Sequence, residues 1–173
     1  MAAVPVAVAA MAVTGVTDPS IIETRPLDDS ISDEVERPEV TFDGLGLPAD
    51  IIGVLADDGI RVPTPIQALA IPDGLAGRDV CGRAETGSGK TLAFGIPIVI
   101  RLGAGDSSRP RALILVPTRE LAAQVTEALE PVADVRGLRL VAVYGGVPMN
   151  PQISSLQNGV DIVVATPGRL LDL

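Results

Sequence analysis

Cysteine occurs once in these 173 residues, lysine once, and aromatic side chains three times. With Cys81 alone, no disulfide can form within the chain. The residue reads as a small buried hydrophobe on a strand, compatible with a reducing compartment. No apolar run reaches the ~20 residues needed to cross a bilayer, so a soluble, cytoplasmic protein is the expectation. The Ala/Val-rich stretch 1–16 resembles the hydrophobic part of a secretion signal but lacks the Lys or Arg that such a signal carries ahead of it. It reads instead as a poorly ordered leader. Because twelve arginines stand against the single Lys90, that lysine is not an interchangeable solvated charge.

The length suits one domain with a substantial core, not two of ordinary size. The net charge of −9 looks wrong for a chain that meets nucleic acid until it is divided. Residues 1–58 hold 12 acids and 2 arginines, or −10; residues 59–173 hold 10 acids and 11 bases, or +1. The excess acidity therefore belongs to the leader and the segment adjoining it, and the pI of 4.4 argues neither for nor against a polyanionic partner. Residues 18–40 are acidic and polar, with Pro19, Pro26 and Pro38, the composition of a disordered linker. Domains are accordingly assigned as 1–40, leader and linker, and 41–173, a folded unit.

The stretch that organises this unit is Ala84-Glu85-Thr86-Gly87-Ser88-Gly89-Lys90-Thr91. It lies between an expected strand over 79–83 and an apolar run beginning at Leu92. Gly87 and Gly89 permit positive φ angles, so that successive N–H groups can turn inward around phosphate oxygens. Lys90 adds a point charge. Thr91 places a hydroxyl on the first turn of the following helix, where it can ligate the Mg²⁺ that travels with a nucleoside triphosphate. The general pattern for such loops has glycine where Ala84 stands. The bland alternative is a Gly/Ser-rich turn joining strand to helix.

Elsewhere, Leu45, Leu47, Ile51, Ile52 and Leu55 recur at helical spacing, and Asp57-Asp58-Gly59 supplies a stop. Pro63 and Pro65 fix an extended turn, and residues 67–75 read as a helix start interrupted at Pro72. Strands are expected over 111–116, 138–144 and 161–165, with helices over 119–129 and 151–156 between them. That alternation predicts an α/β fold with a mostly parallel sheet and helices on both faces. In such sheets ligands gather at the carboxyl ends of the strands. There the chain places residues 84–91, then Pro117, Thr118, Arg119 and Glu120, then Gly145 and Gly146, then Thr166, Pro167, Gly168 and Arg169. Thr118, Arg119, Thr166 and Arg169 can each donate to a phosphate, and the glycines allow close approach of a nucleic-acid backbone. Taken singly, each is as readily a helix cap or an ordinary turn. Gln67 could select adenine by a bidentate amide contact or merely cap a helix. Phe42 could pack in the core or offer a face to a base.

Taken together and in order, residues 84–91, the Pro-Thr-Arg-Glu-Leu-Ala of 117–122, Gly145-Gly146 and the Thr-Pro-Gly-Arg of 166–169 resemble the first half of a DEAD-box ATP-dependent RNA helicase. Residues 59–67 resemble that family's adenine-recognising Q motif, which with Phe42 covers 42–67, and Ala84 is the family's habit. The resemblance covers residues 41–173. It implies a RecA-like P-loop NTPase fold that is incomplete at the C-terminus, with ATP and Mg²⁺ as cofactors and RNA as the partner. Phe42 and Gln67 would hold adenine, Thr86 to Lys90 the phosphates and Thr91 the magnesium, with Ala84 and Glu85 completing the cofactor-binding loop and Lys90 and Thr91 the catalytic contributors. Pro117, Thr118, Arg119, Gly145, Gly146, Thr166, Pro167, Gly168 and Arg169 would line the RNA backbone. Ile60 stands where the family has Phe or Tyr.

The family's Asp-Glu-Ala-Asp strand, its Ser-Ala-Thr segment and its second lobe do not occur in the 173 residues. An arginine finger of the kind that second lobe supplies is worth about 10³–10⁵ in rate, so these residues by themselves are expected to bind rather than to hydrolyse or unwind. A sheet short of a strand should also expose an apolar seam and unpaired edges. Two other readings are weighed: a non-catalytic nucleotide- or RNA-binding fragment of a truncated gene, and another P-loop ATPase such as a DNA translocase.

Overall fold

The computed structural model describes residues 8–10, 40–103 and 109–173. Apart from residues 8–10 and Val40, the expected leader and acidic linker lie outside the described residues.

Helix α1, Ala49–Asp57, buries Ile51 and Leu55 one turn apart, as the spacing predicts. It ends where Gly59 adopts φ +78° and its N–H bonds the Ala56 carbonyl, the left-handed stop that glycine takes without a Cβ penalty. Helix α2, Pro65–Leu75, starts with proline in its first turn and does not break at Pro72. The expected interruption is thus corrected. Pro72 forfeits one N–H bond, yet its own carbonyl still accepts from Ala76. Packing supplies the reason: Ile71 is fully buried, and Gly74 lets Pro97 come so close that a Cβ there would stand 2.8 Å from the ring. Tertiary contact outweighs the local penalty.

Helix α3, Lys90–Leu102, is buried over most of its circumference through Ala93, Gly95, Ile96, Pro97, Ile98 and Val99. It is the central helix of the larger core, clasped between α2 and α4, Arg119–Asp134. Gly95 makes the α4 approach possible, because a Cβ there would overlap the Leu129 side chain. Helix α4 runs past the expected end at residue 129, and α5, Met149–Gln157, exceeds the expected 151–156 at both ends. A short helix, α6, Pro167–Leu171, occupies what the sequence offered as a Pro-Gly turn.

Among the described residues the sheet has four parallel strands in the order β1-β2-β4-β3. Three were expected: β2, Ala112–Leu115, β3, Leu140–Val143, and β4, Ile162–Ala165. In register, Leu113 and Val141 both stand opposite Val163. Alternate residues serve alternate faces, as the period of two requires. Ile162 and Val164 join the large cluster under α1–α4, whereas Val163 and Ala165 join a smaller one with Leu156 of α5 and Leu170 of α6. The helices therefore cover both faces of the sheet.

Two findings about the sheet also depart from the sequence reading. The fourth strand, β1, Val8–Ala10, comes from the leader and pairs with β2, Val8 opposite Leu113. One edge of β2 is therefore covered by β1, and the other by β4. Conversely, residues 79–83 are not a strand: all five are exposed and none joins the sheet. A strand exists only by pairing with a neighbour, and no described strand runs beside this segment. Cys81 on it is correspondingly exposed rather than buried.

At the amino ends of the strands, fully buried Asp161 accepts from Arg111 Nη2 at 2.6 Å and Nε at 3.1 Å, and from the Arg139 N–H at 2.9 Å. Arg111 also donates to the Leu102 and Gly103 carbonyls, so one ion pair ties β2, β3 and β4 to the end of α3. The opposite rim carries the candidate site. None of the described helices is long and apolar enough to cross a membrane.

Candidate functional site

The loop at residues 84–91 feeds directly into α3. Gly87 and Gly89 adopt φ +81° and +87°, the conformations for which the sequence supplies glycine. Ser88 Oγ donates to the Glu85 carbonyl at 2.7 Å and closes the loop on itself. Lys90 Nζ folds back to donate to the carbonyls of Ala84, at 2.6 Å, and Glu85. No carboxylate pairs with that ammonium among the described residues, so its charge is held by peptide dipoles alone and stays open to a stronger anion. Thr91 lies on the first turn beside it. The donor set is an ammonium, a hydroxyl and peptide N–H groups at a helix N-terminus, which fits a phosphate chain accompanied by a hard, oxygen-seeking cation.

Gln67 is 2% exposed. Its Oε1 accepts from the Thr64 N–H at 2.9 Å, the reciprocal arm of a capping box, and its Nε2 donates to the Gly89 carbonyl at 3.1 Å. A Cβ on Gly89 would stand 2.5 Å from that Nε2 and 3.1 Å from Thr64 Oγ1. The side chain thus acts as a strut joining the start of α2 to the phosphate loop, with both amide ends engaged. Phe42 is 2% exposed and packs in the main core with Leu47, Ile51 and Leu55, so its ring turns no face outward. The structure brings Gln67 to the loop but leaves Phe42 in the interior.

The three strand ends of the rim meet one another. Thr118 caps α4, its Oγ1 accepting from the Leu121 N–H at 3.2 Å. Arg119, the next residue, is exposed and donates from Nε to Glu120 Oε1 at 2.6 Å. That bond, helped by the residue's own backbone N–H, holds the Glu120 carboxyl below the usual carboxylate range. Arg119 Nη1 reaches across to the loop after β3, lying 3.2 Å from where a Cβ on Gly146 would be; Gly146 itself has φ +81°. From beyond β4, Arg169 Nη2 donates to the Val147 carbonyl at 3.0 Å. Its Nε and Nη1 are buried without a described partner, an arrangement costly for a cation unless an anion or further acceptor meets it. Thr166 donates its N–H to the Val143 carbonyl at 2.9 Å. Pro117, Pro167 and Gly168 lie exposed along the same edge, and Gly145 is half-buried at its centre.

One residue of this edge escaped the sequence reading. Gln152 on α5 is 8% exposed and bonds both backbone groups of Tyr144. Only its place three residues past Met149, on the first turn of a helix following Gly145-Gly146, signals it in sequence.

Parallel strands joined by crossover helices, with a glycine-rich loop at the head of α3, define the class: a RecA-like α/β domain. The family model of the DEAD/DEAH box helicases matches residues 64–173. ATP-dependent RNA helicase DeaD of Escherichia coli K12 is 50% identical over 135 residues, covering 78% of this chain and 21% of that protein. DEAD-box ATP-dependent RNA helicase 30 of Arabidopsis thaliana is 45% identical, covering 81% of this chain and 24% of its own length. Among solved structures, the RNA helicase Prp28 of Chaetomium thermophilum bound to ADP superposes with a TM-score of 0.71 at 42% identity, over 76% of this chain and 33% of that one. The chain belongs to the DEAD/DEAH box helicase family. It spans about a quarter of the length of the curated relatives it matches.

Proposed function

We propose that these residues are the ATP-binding and RNA-contacting first part of an ATP-dependent RNA helicase, working in the cytoplasm. The observation that carries the reading is the convergence of Arg119, Gly146 and Arg169 from three successive strand ends; α3, whose last residues are tied by Arg111 to the amino ends of the strands, carries the phosphate loop at its other end. Residues 84–91 would hold a nucleoside triphosphate, with Lys90 leaving the Ala84 and Glu85 carbonyls for phosphate oxygens and Thr91 offering its hydroxyl to Mg²⁺. Lys90 and Thr91 are then the catalytic contributors from this chain. Bound Mg²⁺ neutralises charge on the phosphates.

Gln67 supports the nucleotide reading by fixing Gly89. To read adenine directly it would have to release Thr64 or Gly89, and Phe42 would have to turn out of the core to stack on the base. The strut is therefore its better-supported role. Along the rim, Thr118, Arg119, Gly145, Gly146, Thr166, Gly168 and Arg169 present donors and open backbone suited to phosphates and sugars. Pro117 and Pro167 stiffen the entry to their helices. Such contacts hold a nucleic-acid strand with little regard to sequence.

Titration of the chain with fluorescent ATP and GTP analogues, with Lys90→Ala as control, tests the nucleotide half, and fluorescence anisotropy with single-stranded RNA and DNA oligonucleotides tests the other. The reading expects ATP to be preferred over GTP, Lys90→Ala to weaken ATP about tenfold or more, a change of ~1.4 kcal/mol, and RNA to bind with marked salt dependence. Equal affinity for ATP and GTP, or for RNA and DNA, would instead favour another P-loop ATPase.

A further inference from the structure

The strand end at Tyr144 presents a small problem of hydrogen bonding. In a parallel ladder, successive residues direct their N–H and C=O groups to opposite edges. The Val143 carbonyl accepts from Thr166 on the β4 side, so the polar groups of Tyr144 face the other side of β3, along which no described strand runs. Gln152 meets them there: Tyr144 N–H donates to its Oε1 at 3.2 Å, and its Nε2 donates to the Tyr144 carbonyl at 3.1 Å. One planar amide thus stands in for a neighbouring strand and fixes the peptide planes on either side of Tyr144. Directly after Tyr144 come Gly145 and Gly146, which have no side chain to hold them and of which Gly146 is at φ +81°. Left free, two glycines would sample many conformations, and ordering them on binding costs entropy. The Gln152 side chain is itself buried, and its helix packs on β3, so the clamp is anchored from behind.

We infer that Gln152 is a positioning residue for the RNA-backbone contact made by Gly145 and Gly146: by clamping both polar groups of Tyr144 it pre-orders the glycine loop against Arg119 and Arg169. The inference rests on the RNA-binding reading above and names the part of the fold that makes that rim rigid. Gln152 acts through Tyr144 and touches no ligand itself.

The test uses the full chain and three substitutions. Gln152→Met keeps the volume and the helix propensity but removes both bonds; Gln152→Ala removes volume and bonds; Gln152→Glu keeps the acceptor and loses the donor. Binding of a fluorescein-labelled single-stranded oligouridylate is read by anisotropy, amide exchange at Gly145 and Gly146 by NMR or mass spectrometry, and ATP-analogue affinity serves as the check on folding. Positioning predicts that Gln152→Met and Gln152→Ala both weaken RNA about tenfold and speed exchange at both glycines, that Gln152→Glu falls between them and the unsubstituted chain, and that ATP affinity is unchanged. A packing role predicts instead that Gln152→Met behaves as the unsubstituted chain, and that result overturns the inference. Faster exchange with unaltered RNA affinity overturns it too. Failure of the unsubstituted chain to bind the oligonucleotide at low salt refutes the RNA reading and the RNA part of this assignment with it, and is seen before any substitution is made.

Discussion

Replacing Gly89 by alanine should damage the domain at its most connected point. The new residue would have to hold φ +87°, a left-handed conformation costing an L-residue about 1–2 kcal/mol. Its Cβ would stand 2.5 Å from Gln67 Nε2, the severest of its contacts, with Thr64 Oγ1 at 3.1 Å needing to give by only a few tenths of an ångström, so the Gln67 amide must move and lose its 3.1 Å bond to the Gly89 carbonyl. A buried amide donor left without a partner costs a further ~1–3 kcal/mol, giving roughly 2–5 kcal/mol from the two sources. Against a total stability of about 5–15 kcal/mol for a domain, that is a large share. Urea denaturation followed by circular dichroism measures it. The decisive form is a double-mutant cycle with Gln67→Ala: if the clash with Gln67 is real, Gly89→Ala should cost about 1–3 kcal/mol less in the Gln67→Ala background, because only the backbone strain remains. Strict additivity of the two substitutions would refute the strut, and a cost for Gly89→Ala below about 0.5 kcal/mol would refute both parts of the reasoning.

Asp161→Ala leaves Arg111 at the base of the sheet without its counter-charge and should cost about 3–5 kcal/mol, seen as a lowered urea midpoint. Gly95→Ala drives a methyl group into Leu129 and should destabilise by about 1–3 kcal/mol in the same assay. Glu120→Gln frees Arg119 and removes a negative charge from the rim, so RNA affinity should rise about two- to fivefold at low salt and the gain should fade at high salt. The same pair predicts a pH effect of definite sign. Because Arg119 lowers the Glu120 pKa, the bond is complete above the ordinary carboxylate range and is lost as pH falls through the depressed value. Acidification should therefore narrow the difference in RNA affinity between Glu120→Gln and the unsubstituted chain.

Much of the carboxyl-end rim was legible because its residue types are constrained by elementary backbone chemistry. Gly87 and Gly89 do adopt positive φ, Thr118 does cap α4, and β2, β3 and β4 fall within a residue or two of their expected bounds. The failures share one cause, which is that pairing is a property of neighbours. Residues 79–83 have strand composition but no strand beside them. Val8–Ala10 read as a loose leader yet fit an available edge. Pro72 marks a break in sequence, but the fit of Gly74 against Pro97 keeps α2 whole. Gln152 stayed hidden because a glutamine on a helix carries no pattern; only the geometry of Tyr144 gives it a task. Gln67 was singled out for its amide, and the amide turned out to grip two parts of the protein rather than to point outward.

The pairing of Val8 with Leu113 joins positions 105 residues apart, which sets an order of events during synthesis. At about 5–20 residues per second, β1 leaves the ribosome ~5–20 s before its partner strand exists. Through that interval an Ala/Val-rich segment has no ladder to enter. Closing the loop afterwards adds a further entropic step. Strand β1 therefore waits unpaired until β2 has been made, and only then can the sheet grow from that edge.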